Sequence, residues 1–117
     1  MRRTTMMIAL IAVMIPSAAT ADDLSVDEAQ HALRRGVEYF RDHVSIEGGY
    51  LWRYAADFSE REGEVPASAT TAWVQPPGTP SVGAAYLDVY ELTGDKYYLE
   101  AARETALALV RGQLQSG

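Results

Sequence analysis

Apolar residues recur at Val26, Ala29, Leu33, Val37, Phe40 and Val44, in steps of three and four that place them along one face of a helix. Ser25-Val26-Asp27-Glu28 at the start of this run has the form of a capping box, in which the serine hydroxyl takes one free amide and the glutamate reaches back to another. Gly48-Gly49 marks the end of the segment. A second periodic face follows at Val82, Ala85, Tyr86, Val89 and Tyr90. Thr79-Pro80 predicts its start, with threonine as the cap and proline at the first helical position. Thr93-Gly94-Asp95 predicts a stop and restart: glycine suits the left-handed position after a helix, and Asp95 caps the next one. The third helix carries Tyr98, Leu99, Ala102, Ala106, Leu109, Val110 and Leu114, with Arg103 and Glu104 expected to face outward. The second and third helices form an αα-hairpin.

Residues 50 to 80 sustain neither helical nor strand periodicity. Tyr50-Leu51-Trp52-Arg53-Tyr54 suits a short strand or an extended segment, and the stretch to Ala69 is polar with several acids. Pro76-Pro77-Gly78-Thr79-Pro80 forces extended or turn geometry. A connection of about 30 residues is uncommon inside a compact domain unless it carries function or is disordered. Two tryptophans with tyrosine and valine neighbours favour an ordered loop. The expected fold class is therefore all-α, helical hairpins with a long irregular loop between the first and second helices. With Arg41 laid over Arg111, residues Ala32, Val37, Phe40 and Val44 fall on Ala102, Leu107, Val110 and Leu114, a weak internal echo. Repeated hairpins need neighbours on both sides to bury their apolar faces, so this pattern predicts further helical units beyond residue 117.

The first 21 residues have the layout of a secretory signal: Arg2 and Arg3, an apolar run over residues 6 to 15, then Pro16 and small residues ending in Ala19-Thr20-Ala21. An apolar core of this length is too short to span a bilayer, so no permanent membrane anchor is expected, and the mature chain, residues 22 to 117, should be periplasmic or secreted. Sixteen acidic residues stand against ten lysines and arginines, and removal of the signal takes away only arginines. An acidic chain without a basic stripe is a poor partner for nucleic acid. With no cysteine, no disulfide supports the exported chain and thiolate zinc sites are excluded, so stability has to come from packing.

His31 and His43 lie more than three helical turns apart and cannot share a metal. His43 near the helix end suits the dipole there. No nucleophile elbow, phosphate loop, HExxH or EF-hand pattern occurs, so no catalytic residue is assigned. Asp57, Glu60, Glu62 and Glu64 are oxygen donors of the kind calcium takes, but their spacing fits no fixed ligand loop, and a solvated charged loop is the ordinary reading. The candidate binding residues are Trp52, Arg53 and Tyr54, with Trp73 and Gln75. Flat aromatic faces stack on sugar rings, and the arginine fork matches a uronate carboxylate. The same residue types also pin loops down by packing.

Three stretches carry a family resemblance: Gly48-Gly49-Tyr50-Leu51-Trp52-Arg53-Tyr54; Thr71-Ala72-Trp73-Val74-Gln75-Pro76-Pro77-Gly78-Thr79-Pro80-Ser81-Val82-Gly83; and Thr93-Gly94-Asp95 before Tyr98-Leu99-Glu100-Ala101-Ala102. Over most of residues 28 to 117 the chain resembles the N-terminal region of the pectic acid lyases. The resemblance implies the start of an incomplete α/α toroid and a polysaccharide lyase that cleaves polygalacturonate by β-elimination. Calcium would neutralise the uronate carboxylate, and an arginine would remove the C5 proton. The catalytic core is expected further along the chain, and the present residues match no catalytic motif of the family. A sugar hydrolase or epimerase on the same toroid, and an exported helical-repeat binding protein, are the rival expectations.

Overall fold

The computed structural model describes residues 25–113. The signal pattern and its cleavage site lie outside the described residues, as does Leu114. Helix α1 spans Val26–Tyr39 and continues into one wider π-type turn, Phe40–Val44. A two-stranded antiparallel sheet follows, β1 (Arg53–Tyr54) with β2 (Arg61–Glu62), in the register Arg53 to Glu62 and Tyr54 to Arg61. Helices α2 (Thr79–Thr93) and α3 (Lys96–Arg111) close the domain as an antiparallel hairpin.

The local signals work as their chemistry dictates. The Ser25 hydroxyl accepts from the Glu28 amide at 3.2 Å, and the Glu28 carboxylate accepts from the Ser25 amide at 3.0 Å. That pairing holds the Glu28 carboxyl below its ordinary value. Gly94 adopts φ +69° behind α2, and Asp95 Oδ1 accepts from the Tyr97 amide at 2.9 Å to start α3. Thr79 departs from its expected role. Gly78 is the cap of α2, Thr79 is already helical, and the Thr79 hydroxyl is turned into the core. There it accepts from the Tyr50 amide at 2.9 Å and donates to the Tyr50 carbonyl at 3.2 Å. The buried backbone of Tyr50 has no helix or strand to satisfy it, so it takes the nearest hydroxyl.

The core is small: Val37, Val44, Tyr50, Tyr86, Tyr98 and Ala101 form its buried cluster, with Val82, Val89 and Tyr97 packed against it. Tyr50 and Tyr86 meet hydroxyl to hydroxyl at 2.9 Å, which satisfies two polar ends inside it. Among the described residues no buried side-chain nitrogen or oxygen lacks a partner. Helix α3 presents Tyr98, Ala101 and Thr105 inward, and Gly83 on α2 lets the hairpin close, since a Cβ there would collide with the Thr105 hydroxyl. Helix α1 is tied to α3 by charge. Arg41 makes a paired contact with Glu104, 3.1 Å from Nε and 2.5 Å from Nη2, and Arg34 reaches Asp95 at 3.1 Å. The Arg34 and Arg41 guanidinium groups lie 3.4 and 4.5 Å from the centroid of the Tyr97 ring. Glu104 faces outward, as expected, and from that exposed position pairs with Arg41.

The toroid expectation is overturned. The described residues make a small domain of three helices and a two-stranded sheet, with one αα-hairpin, and they do not form a series of hairpins. The internal echo fails in packing at Val37, buried at 6% exposure, whose counterpart Leu107 is 41% exposed. The physical reason lies in residues 50 to 80. Where a toroid needs the return helix of the first hairpin, this stretch carries prolines, glycines and acids, and it folds as a β-hairpin followed by an ordered loop. Expectation also missed β2, because Arg61 and Glu62 show no alternation that would mark a strand.

Two outcomes follow from the core. Thr79→Val leaves the buried Tyr50 amide without an acceptor and should cost about 1–3 kcal/mol in urea unfolding, while Thr79→Ser should stay within about 1 kcal/mol of the parent. An unchanged midpoint in Thr79→Val would show that the clamp contributes nothing. Burial pushes the Tyr50 and Tyr86 hydroxyls above the ordinary tyrosine value. The folded state therefore holds these protons more tightly than the unfolded one. This contribution is fully present below the unfolded value of about 10 and is lost as pH rises beyond it through the folded-state values. Urea midpoints should fall above about pH 10, and Tyr86→Phe should flatten that decline.

Candidate functional site

Glu47 and Gly48 turn the chain sharply after α1, both with positive φ, and Gly48 lies so close to α3 that a Cβ would come within 2.5 Å of the Glu104 carbonyl oxygen. The turn delivers Tyr50 to the core and sends residues 51–54 across the end of α1. Leu51 is buried, and its amide donates to the Tyr54 hydroxyl at 2.7 Å. Burial raises the Tyr54 hydroxyl above its usual value, against the lowering effect of that bond. A tight loop joins β1 to β2. The Asp57 carboxylate accepts from the Ser59 hydroxyl at 2.6 Å and from its amide at 3.0 Å, which holds Asp57 below the usual carboxylate range. Phe58 takes φ +59°, an uncommon position for a bulky side chain, and its ring meets Tyr54 edge to face at 5.9 Å.

These elements enclose an open cleft of about 620 Å³. Its aromatic walls are Tyr39 and Phe40 from the end of α1, Tyr50, Trp52 and Tyr54 from the following segment, and Phe58 from the loop. Pro77 and Val82 close it on the α2 side. Arg53 is the one charged residue among those lining it. An apolar groove of about 470 Å³ between α1 and α2 adjoins the cleft and shares Phe40, Pro77 and Val82 with it.

The five residues singled out from the sequence separate into two groups. Trp52, Arg53 and Tyr54 line the cleft. Trp73 and Gln75 do not, and form a latch behind it instead. The Trp73 indole donates to Gln75 Oε1 at 3.3 Å, the Trp52 indole donates to the Gln75 carbonyl at 3.2 Å, and the two indole rings meet edge to face at 6.0 Å. Trp73 lies flat against Gly63, where a Cβ would overlap its ring. Tyr39, Phe40 and Phe58 also line the cleft, although nothing in the sequence singles them out as site residues. The apolar period puts Phe40 on the core-facing side of α1, but at 42% exposure it lines the cleft instead. Phe58 carries no sequence signal beyond its hydrophobicity.

The acids of the loop do not converge. Asp57 is turned to Ser59, Glu62 is paired with Arg53 across the strand pair, and among the described residues no three histidine or acidic groups are placed to hold a metal ion. Among the described residues, the loop acids thus do not form a calcium site. His43 stacks on Tyr39 one turn before it, with ring centroids 4.8 Å apart, and His31, in the second turn of α1, borders a separate cavity with Arg34 and Asp95. Among the described residues no helix is long and apolar enough to cross a membrane. The chain matches no protein-family model, no curated protein and no solved structure.

The latch has a direct readout. Gly63→Ala should push the Trp73 ring aside, cost about 1–3 kcal/mol through overpacking, and weaken the tryptophan bands of the near-ultraviolet circular dichroism as the indole pair loosens. Unchanged bands would mean that Trp73 does not depend on Gly63 for its position.

Proposed function

We propose that this chain belongs to an exported protein that acts on acidic polysaccharide, in the manner that its resemblance to the pectic acid lyases implies, and that its own residues contribute saccharide recognition. The observation that supports this reading is the cleft itself: aromatic rings on several sides, with a single arginine as its charged lining residue. Aromatic faces take the C–H faces of sugar rings, and a guanidinium takes a carboxylate with a fork of matched donors. A cleft of this size accommodates a short oligosaccharide. Arg53 is a contact for the substrate carboxylate. No side chain here is assigned as the base that removes a proton, and calcium belongs to the chemistry of the whole protein only as the resemblance implies it.

Two experiments test the two halves of the reading. The whole protein incubated with polygalacturonate should release unsaturated products that absorb in the ultraviolet, and chelation should abolish the rise; no absorbance with any polyuronate would sink the lyase activity. Trigalacturonate should change the tryptophan fluorescence of the chain on binding. Tyr39→Ala, which truncates a half-exposed ring outside the core, should weaken that binding about three- to tenfold. Equal affinity in the variant would remove the cleft as the binding site.

A further inference from the structure

Arg53 stands between two cavities. On one side it lines the aromatic cleft, and on the other it borders a smaller polar cavity of about 280 Å³ with Tyr54, Ala55, Glu60 and Glu62. Strand pairing sets Arg53 directly opposite Glu62, and Arg53 Nη2 donates to Glu62 Oε2. The two partners are unequally held: the arginine side chain is 76% exposed and the glutamate 35%. Glu62 is therefore the less exposed member, and the arginine stem has more room to reorient. An ion pair this exposed to solvent is weak enough for an incoming carboxylate to exchange with it.

We propose that Glu62 is a built-in counter-ion of the cleft, occupying Arg53 until a carboxylated saccharide displaces it. The inference rests on the reading of the cleft as an acidic-saccharide site and adds the residue that sets its affinity. With Glu62 in place, an empty cleft does not expose a bare cation beside its aromatic wall. A neutral sugar gains nothing from breaking the pair, and a uronate replaces one carboxylate by another. Glu62 thereby lowers the affinity for acidic saccharide by the strength of the pair and leaves neutral binding untouched. Glu60 borders the same cavity without pairing with Arg53 and carries the same charge, so it separates a specific counter-ion from a general field.

Calorimetric titration of the chain with trigalacturonate and with a neutral galactose trimer tests this, using Glu62→Gln, Glu60→Gln, Arg53→Gln and the Arg53→Gln/Glu62→Gln pair. Glu62→Gln should bind the acidic trimer about two- to fivefold more tightly and the neutral trimer unchanged. Glu60→Gln should give a smaller gain. The double variant should match Arg53→Gln alone, since without the arginine there is nothing to release. If the parent binds trigalacturonate and Glu62→Gln binds it no better, or if Glu60→Gln gains as much, the counter-ion role is overturned while the site stands. If neither the parent nor any variant binds either trimer, the saccharide reading is overturned and the role of Glu62 with it.

Discussion

Tyr50 enters the core from a segment that belongs to no helix or strand, so its backbone has to find partners elsewhere or be buried unpaired. Three come to it. Thr79 supplies a hydroxyl that serves both its amide and its carbonyl, and the Trp73 amide donates to the same carbonyl at 2.9 Å. At the other end of the residue, the phenol meets Tyr86 on α2. A buried amide without an acceptor costs about 1–3 kcal/mol, a large share of the stability of a domain this small. The start of α2, the path of the loop and the seat of the tyrosine pair are therefore one arrangement, and the cleft walls at residues 51–54 follow directly from it.

Charge supplies what the small core does not. Helix α1 and the π-type turn that continues it carry a long apolar stripe, but only Val37 and Val44 of it are buried, and its alignment on α3 relies on Arg34 and Arg41 gripping Asp95, Glu104 and the Tyr97 ring. Because polar contacts along one edge hold α1, its remaining apolar residues are not all drawn into the interior. Leu33 and Phe40 stay partly exposed, and Phe40 becomes a wall shared by the cleft and the groove beside it.

The loop between α1 and α2 combines anchoring and recognition in neighbouring residues. Trp73 and Gln75 hold Trp52 from behind, while Trp52 shows a face to the cleft and Arg53 beside it carries the charge. An aromatic residue fixed by an indole hydrogen bond loses little freedom when a ligand arrives, which favours binding without added contacts. The hairpin contributes in the same way, since pairing β1 with β2 sets the acid and the base of the Arg53–Glu62 pair opposite each other.

Helix positions were legible in the sequence because their signals are local. The capping box at Ser25, the left-handed Gly94 and the Asp95 cap each involve groups within a few residues, and the apolar period needs only one turn of context. The aromatic and arginine segment was legible as chemistry for the same reason: residue types can be read wherever they lie. The roles of Thr79 and Glu104 were not legible, because each is set by a partner far along the chain, Tyr50 in one case and Arg41 in the other. Nor could the sequence separate Trp52 and Arg53, which face the cleft, from Trp73 and Gln75, which brace it. Local propensity and period determined where the helices lie and where the aromatic and arginine residues fall, whereas the small sheet and the choice of which rings line a cavity were decided only when distant groups competed for the same buried partners.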